Sequence, residues 1–71
     1  MLADGAYDAI VVDAERVEDA VRLELTITAG PYKGEVVALR SANATLDPVT
    51  VLGIPARIVV TDGVPRVTLE P

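Results

Sequence analysis

Hydrophobic and polar residues alternate most regularly between residues 21 and 28. The residues that share one face of an extended chain there are Val21, Leu23, Leu25 and Ile27. Such alternation is typical of a strand with one buried face and one face in water. Similar runs of β-branched residues predict five strands in all, at 7–17, 21–28, 35–40, 56–61 and 66–70.

Turn-forming residues separate these runs. The segment Gly30-Pro31-Tyr32-Lys33-Gly34 breaks the chain before the third strand, because proline fixes φ and the glycines permit positive φ. Asp62-Gly63 is typical of a two-residue hairpin turn. Asp47-Pro48 predicts the start of a short helix that ends near Gly53, since Asp is a preferred N-cap and proline is tolerated at the first helical position.

The order of these elements predicts the fold class. Five short valine-rich strands would leave exposed edges unless they closed into a barrel. We expect residues 1–71 to form one domain, an all-β, five-stranded OB-fold-like Greek-key barrel with a short helix between strands 3 and 4. An SH3-like barrel is the alternative, although its helical turn usually comes later in the chain. The residues expected to cover the bottom of the barrel are Leu46, Val49, Leu52 and Ile54.

Composition argues against catalysis. The chain has no cysteine and no histidine, so it offers no thiol nucleophile, no imidazole base and no common zinc ligand set. Ser41 has no base at a recognisable spacing, and Asp13 and Glu15 fit a solvated strand face. A glycine-rich phosphate loop is also missing. We therefore expect a protein that is not an enzyme, with no catalytic residue, no metal and no cofactor.

Charge is distributed unevenly along the chain. Six basic and eleven acidic residues give a net charge of −5, and residues 1–30 carry all of this excess. A negative field repels phosphate backbones at long range, which weighs against strong non-specific binding of nucleic acid. The start of the chain lacks the basic and apolar regions of a secretory signal, and the longest apolar run is only Ala9-Ile10-Val11-Val12. We expect a soluble cytoplasmic protein with no membrane partner.

One segment carries a family resemblance. The run from Leu23 to Val37, which contains Gly30-Pro31-Tyr32-Lys33-Gly34, resembles the G-x-Y-x-G connection of small single-stranded-DNA-binding OB proteins of phages and mobile elements. It is also similar, more weakly, to the KOW motif, but the later glycine of that motif is missing. The first resemblance implies that the outer face of strands two and three contacts the ligand. The nucleic-acid-binding residues it implies are Arg22, Tyr32, Lys33 and Arg40.

Two functions follow from these observations. The first is a small OB-type binding module for single-stranded nucleic acid, or a replication accessory protein. The alternative is a protein-interaction or assembly module that docks on a larger enzyme or forms a homo-oligomer. Net acidity, only two aromatic residues and a third strand that is apolar on both faces favour this alternative, with Val37 and Leu39 facing the partner. A continuous positive stripe over strands two and three would favour nucleic acid, whereas a neutral or acidic face would favour protein.

Overall fold

The computed structural model describes residues 2–41 and 46–70 as one curled antiparallel sheet. Its strands are β1 (Gly5–Val17), β2 (Ala20–Ile27), β3 (Val36–Ser41), β4 (Pro55–Thr61) and β5 (Val64–Leu69). They lie in the order β3-β2-β1-β4-β5. The curled sheet forms a half-barrel, so the prediction of an all-β protein with five strands is confirmed.

The long strand β1 bends the sheet. Residues 5–10 of β1 pair with β4, residues 9–17 pair with β2, and the register shifts between Val11 and Asp13. At this bulge the N–H of Val11 donates to the carbonyl of Ile54 at 3.1 Å, and its carbonyl accepts the N–H of Gly53 at 2.8 Å. A bulge increases local twist and bends the strand. β1 therefore pairs with strands in both halves of the sheet, and its bend curls the sheet into a half-barrel.

A second bulge aligns β2 with β3. Gly34 and Glu35 together oppose Ile27, since the N–H of Gly34 donates to the carbonyl of Ile27 at 2.8 Å and the N–H of Ile27 donates to the carbonyl of Glu35 at 2.9 Å. Gly34 has a φ of +94°, which suits the glycine that begins such a bulge. The glycine at the end of the predicted turn thus sets the register of the third strand.

The predicted short helix between strands 3 and 4 is wrong, because residues 48–53 form a series of turns. Asp47 does begin the segment as expected, with its Oδ1 accepting the N–H of Val49 at 2.9 Å. One helical hydrogen bond follows, from the N–H of Val51 to the carbonyl of Asp47 at 3.2 Å. The β-branched Val49, Thr50 and Val51 lose rotamer freedom in a helix, which explains why the turn does not propagate.

The turns also change which side chains cover the bottom of the half-barrel. Leu46 and Ile54 pack against the core as expected, but Val49 and Leu52 are 75% and 47% exposed. Val51, which was not among the four expected residues, is only 3% exposed and belongs to the core.

The core lies against β1, β2 and β4, which we call the wall strands. Its buried side chains include five from β2, Ala20, Val21, Leu23, Leu25 and Ile27, and three from β4, Ala56, Ile58 and Val60. The strands β3 and β5 contribute only half-buried side chains, such as Val37 and Val67. Strand three is apolar on both faces, but only its inner face is covered, since Val36 on its outer face is 59% exposed.

The half-barrel is open between β3 and β5, a gap that we call the seam. Each neighbouring pair in the sheet is antiparallel, so these two edge strands run parallel to each other. Their Cα atoms come within 8 Å, but no hydrogen-bonded ladder joins them. Paired strands lie about 4.8 Å apart. The sheet is therefore not a ring closed by hydrogen bonds.

Candidate functional site

The four residues implied by the resemblance lie in two separate places. Arg22 and Arg40 are opposite each other on β2 and β3, and both side chains are exposed. Tyr32 and Lys33 lie in the turn at the other end of this hairpin, beyond the pair of Thr26 and Val36. The pair of Arg22 and Arg40 lies four residues along the strands from the pair of Thr26 and Val36, which is about 13 Å at 3.3 Å per residue. The structure therefore brings these residues together as two pairs and not as one site.

The positive charge of Arg22 is paired with a carboxylate on the same strand. Its Nη1 atom lies 2.8 Å from the Glu24 Oε2 atom. The hydrogen bond from the guanidinium to Glu24, together with the negative charge of Glu24, raises the pKa of Arg22. On β1, Glu15 stands opposite Arg22 and Asp13 opposite Glu24. Glu24 and uncharged side chains interrupt the outer face of β2 and β3, which therefore does not form a continuous positive stripe, and the adjoining part of β1 is acidic.

The ring of Tyr32 packs against the ring of Tyr7. The two rings meet edge to face, with centroids 5.6 Å apart and planes at 77°. The hydroxyl of Tyr7 donates to the carbonyl of Ala3. Burial raises the pKa of Tyr7, and the charges of Tyr32 and Asp4 contribute to the same shift. Both tyrosines of the chain therefore stabilise one end of the half-barrel, away from Arg22 and Arg40.

The segment before β1 is fixed to the turn between β4 and β5. The two carboxylate oxygens of Asp4 accept the N–H groups of Asp62 and Gly63 at 2.9 and 3.0 Å. Asp62 and Gly63 have φ values of +52° and +77°, as a two-residue hairpin turn requires. This anchor holds Leu2 against the core at one end of the seam.

Sequence reasoning named Val37 and Leu39 as facing a partner but did not predict the seam that they line. An apolar cavity of about 200 Å³ lies there between the two edge strands. Its lining residues are Leu2, Val37, Ala38, Leu39, Val60, Gly63 and Pro65. A second cavity continues from it past Leu39 and Pro65 to Arg40 and Arg66. Together they form a groove with an apolar middle and a cationic end.

The two edges of the seam differ in their backbone hydrogen-bonding capacity. Hydrogen-bonded and non-bonded pairs alternate in an antiparallel ladder. Because Ile27 and Glu35 are joined by a hydrogen bond, the backbone groups of Val36, Ala38 and Arg40 point away from β2 towards the seam. On β5 the same alternation turns Pro65 towards the seam, and proline has no N–H to donate. The β3 edge is therefore complete, whereas the β5 edge lacks a donor.

Arg40 and Arg66 line the same end of the groove from β3 and β5. Within residues 2–41 and 46–70, neither guanidinium has a carboxylate within ion-pair distance. Arg22 and Arg57, in contrast, pair with Glu24 and Asp8. Arg66 was not among the residues implied by the resemblance, and only the curl of the sheet brings it beside Arg40.

Three further findings concern the part of the chain that the structure describes. It contains no group of three or more acidic side chains that could hold a metal ion. None of its segments is a helix of the length and apolar character needed to cross a membrane. Every buried side-chain polar atom in it has a hydrogen-bond partner.

Comparisons of the chain with protein families, with curated proteins and with solved structures find no match.

Proposed function

We propose that this chain is a non-enzymatic binding module whose ligand is another protein, and that the seam is its docking site. The observation that carries the proposal is the groove between β3 and β5, where apolar side chains lie beside a β3 edge that pairs with no strand of residues 2–41 and 46–70. An exposed strand edge is a ready template for pairing with another chain, and proteins commonly block such edges. Pro65 blocks the β5 edge in this way, but the part of β3 that faces the seam carries no proline.

We propose further that the half-barrel is an open form of the OB-like Greek-key barrel. In a Greek key, the fourth strand returns to lie beside the first, in the order 4-1-2-3. The order β3-β2-β1-β4-β5 supports this assignment, and so does the approach of β3 to β5, where such a barrel would close. The OB fold is itself a partly open barrel, so an unpaired seam fits it.

Three observations favour protein over nucleic acid as the ligand. Single-stranded nucleic acid is bound by aromatic stacking platforms in a positively charged groove. Tyr7 and Tyr32 contact each other at the end of the hairpin remote from Arg22 and Arg40. The net charge is −5, and the charge of Arg22 is already paired with Glu24.

Single-stranded nucleic acid is the second candidate, because one arginine on each of β2, β3 and β5 lies at the same end of the half-barrel. Arg22 on β2 stands opposite Arg40 on β3, and Arg40 shares its end of the seam with Arg66 on β5. A replication accessory protein of this kind would bind oligonucleotides more weakly as salt rises. Fluorescence anisotropy with labelled single-stranded DNA and RNA at low salt measures this; Arg40-dependent binding would favour the nucleic-acid function over the protein ligand.

A pair of matched variants tests the main proposal. Ala38→Glu places a charge at the seam, and Val12→Glu places the same charge on the β1 bulge, away from the seam. Both positions are exposed, so both variants should fold. The immobilised full chain is used to capture proteins from cells that produce it, and sedimentation velocity measures self-association.

We expect Ala38→Glu to reduce the captured partner, or the homo-oligomer, by at least about ten-fold, because hot-spot contacts sit at the centre of an interface. Val12→Glu should leave it unchanged. A chain that stays monomeric and captures nothing that Ala38→Glu releases would contradict the proposal.

A further inference from the structure

We infer that the seam takes an extended strand whose sequence reads acidic–apolar–any–apolar, paired antiparallel to β3. This inference rests on the proposed function and adds the chemistry of the partner. Three observations carry it: the direction of the β3 backbone groups, the shape of the apolar cavity, and the two arginines at one end of the groove.

The backbone of β3 selects the position and direction of the partner strand. The N–H and carbonyl groups of Val36, Ala38 and Arg40 face the seam, and they repeat every second residue as a strand partner requires. Antiparallel pairing is slightly more stable per residue than parallel pairing. Pro65 interrupts the donors of the β5 edge. The partner strand therefore pairs with β3 rather than with β5.

The seam must open before it can take an added strand. Two strand spacings amount to about 9.6 Å between β3 and β5. Their Cα atoms come within 8 Å at the nearest points, so the seam must widen there before a strand can enter. The sheet contains no ladder between β3 and β5 that this movement would break. Opening therefore breaks no ladder of backbone hydrogen bonds between these two strands.

The alternation of side chains fixes the apolar positions of the partner. Val37 and Leu39 point to the inner face of the sheet and line the apolar cavity with Pro65. Residues opposite each other in a sheet share one face. The partner residues opposite Leu39 and Val37 therefore enter the cavity, whose volume of about 200 Å³ suits valine-sized or leucine-sized side chains.

The acidic position follows from Arg40 and Arg66. The partner residue opposite Arg40 lies on the outer face, one residue before the residue opposite Leu39 in an antiparallel pair. A carboxylate there is flanked by Arg40 on one side and by Arg66 on the other. Neither arginine has an ion-pair partner within the described ranges, so the partner's carboxylate meets charges that are not already neutralised. Charge complementarity thus sets the register of the partner strand.

The test uses two short peptides that differ in one charge. Acetyl-Thr-Glu-Val-Thr-Val-Thr-amide carries the inferred pattern, and the second peptide has lysine in place of the glutamate. Titration of the full-length protein is followed by amide chemical shifts in solution NMR. We expect the glutamate peptide to bind at least about ten-fold more tightly than the lysine peptide, with the largest shifts at the amides of Val36, Ala38 and Arg40.

Charge reversal at the seam should reverse this preference. The double variant Arg40→Glu/Arg66→Glu should bind the lysine peptide more tightly than the glutamate peptide. The matched control Lys33→Glu/Arg57→Glu changes the net charge equally at residues that do not line the groove, and it should keep the original preference. Equal binding of both peptides, binding of neither, or an unchanged preference in the seam variant would overturn the inference.

A proline peptide tests strand pairing itself. Replacing the threonine between the two valines with proline removes the N–H that would donate to β3 at Ala38, so binding should be lost. Retained binding would overturn the paired geometry.

Two further results separate this inference from the proposed function. If Ala38→Glu releases a captured protein while the peptides show no preference, only the partner's sequence pattern is wrong. Tighter, Arg40-dependent binding of single-stranded DNA than of the glutamate peptide would overturn both.

Discussion

The wall strands and the two strands of the seam have the same kind of sequence but different surroundings. Leu23 on β2 and Leu39 on β3 are directly opposite each other, and both point to the inner face. Leu23 is completely buried, whereas Leu39 is only half-buried. The difference arises because a wall strand has a neighbour on each side, while an edge strand has one. Alternation of apolar residues thus determines which face turns inward, and neighbouring strands determine how far that face is covered.

The largest expected effect comes from truncating these two leucines. Leu23→Ala removes a fully buried side chain and should lower the free energy of unfolding by about 2–5 kcal/mol. Leu39→Ala should cost about half of that or less, because part of its surface is already in contact with water. Urea denaturation measures both values. Equal costs would mean that Leu39 is covered as completely as Leu23 and that the seam is closed.

A smaller effect is expected where the segment before β1 is fixed beside the seam. Asp4→Ala leaves the N–H groups of Asp62 and Gly63 without their acceptor, so we expect a loss of about 1–2 kcal/mol in the free energy of unfolding. Asp19→Ala, in the turn between the wall strands β1 and β2, is the control and should cost less than about 0.5 kcal/mol. If the two variants were equally stable, the carboxylate of Asp4 would not anchor this segment.

The smallest effect concerns alkaline pH at the same end of the half-barrel. The pKa of Tyr7 is raised above its ordinary value of 10.0, first by burial and then by Tyr32 and Asp4. The folded state therefore holds this proton more tightly than the unfolded state. The stabilising contribution is complete below pH 10 and is lost as pH rises through the folded pKa.

Tyr7→Phe should remove that fall in stability, as measured by urea midpoints on either side of pH 10. Tyr32→Phe should keep most of it, since burial is the largest cause of the shift. A fall that persists in Tyr7→Phe would assign the alkaline transition to another group.

Much of the fold could be predicted from local sequence. The alternation of β2 and the Asp62-Gly63 turn determined strands and hairpins correctly, because both signals act through neighbouring residues. The helix prediction failed because two local signals opposed each other. Asp47 capped the first turn, but the β-branched Val49 and Val51 disfavour a helix, so no further turn formed.

The candidate site was less predictable because it depends on contacts distant in sequence. Arg22 and Arg40 could be placed together from the hairpin register alone. Arg66 lies near Arg40 only because β1 bends, which brings β4 and β5 towards β3. No local signal reports that bend, and none reports that Tyr32 would contact Tyr7 instead of standing free.

Amide hydrogen exchange along β3 tests most directly whether the seam is open. The amides of Val37 and Leu39 donate to β2, whereas those of Val36, Ala38 and Arg40 face the seam. An open seam predicts alternation, with slow exchange at Val37 and Leu39 and fast exchange at the other three, because only hydrogen-bonded amides are protected. Uniformly slow exchange along the strand would mean that β3 pairs with β5, and the docking groove would not exist.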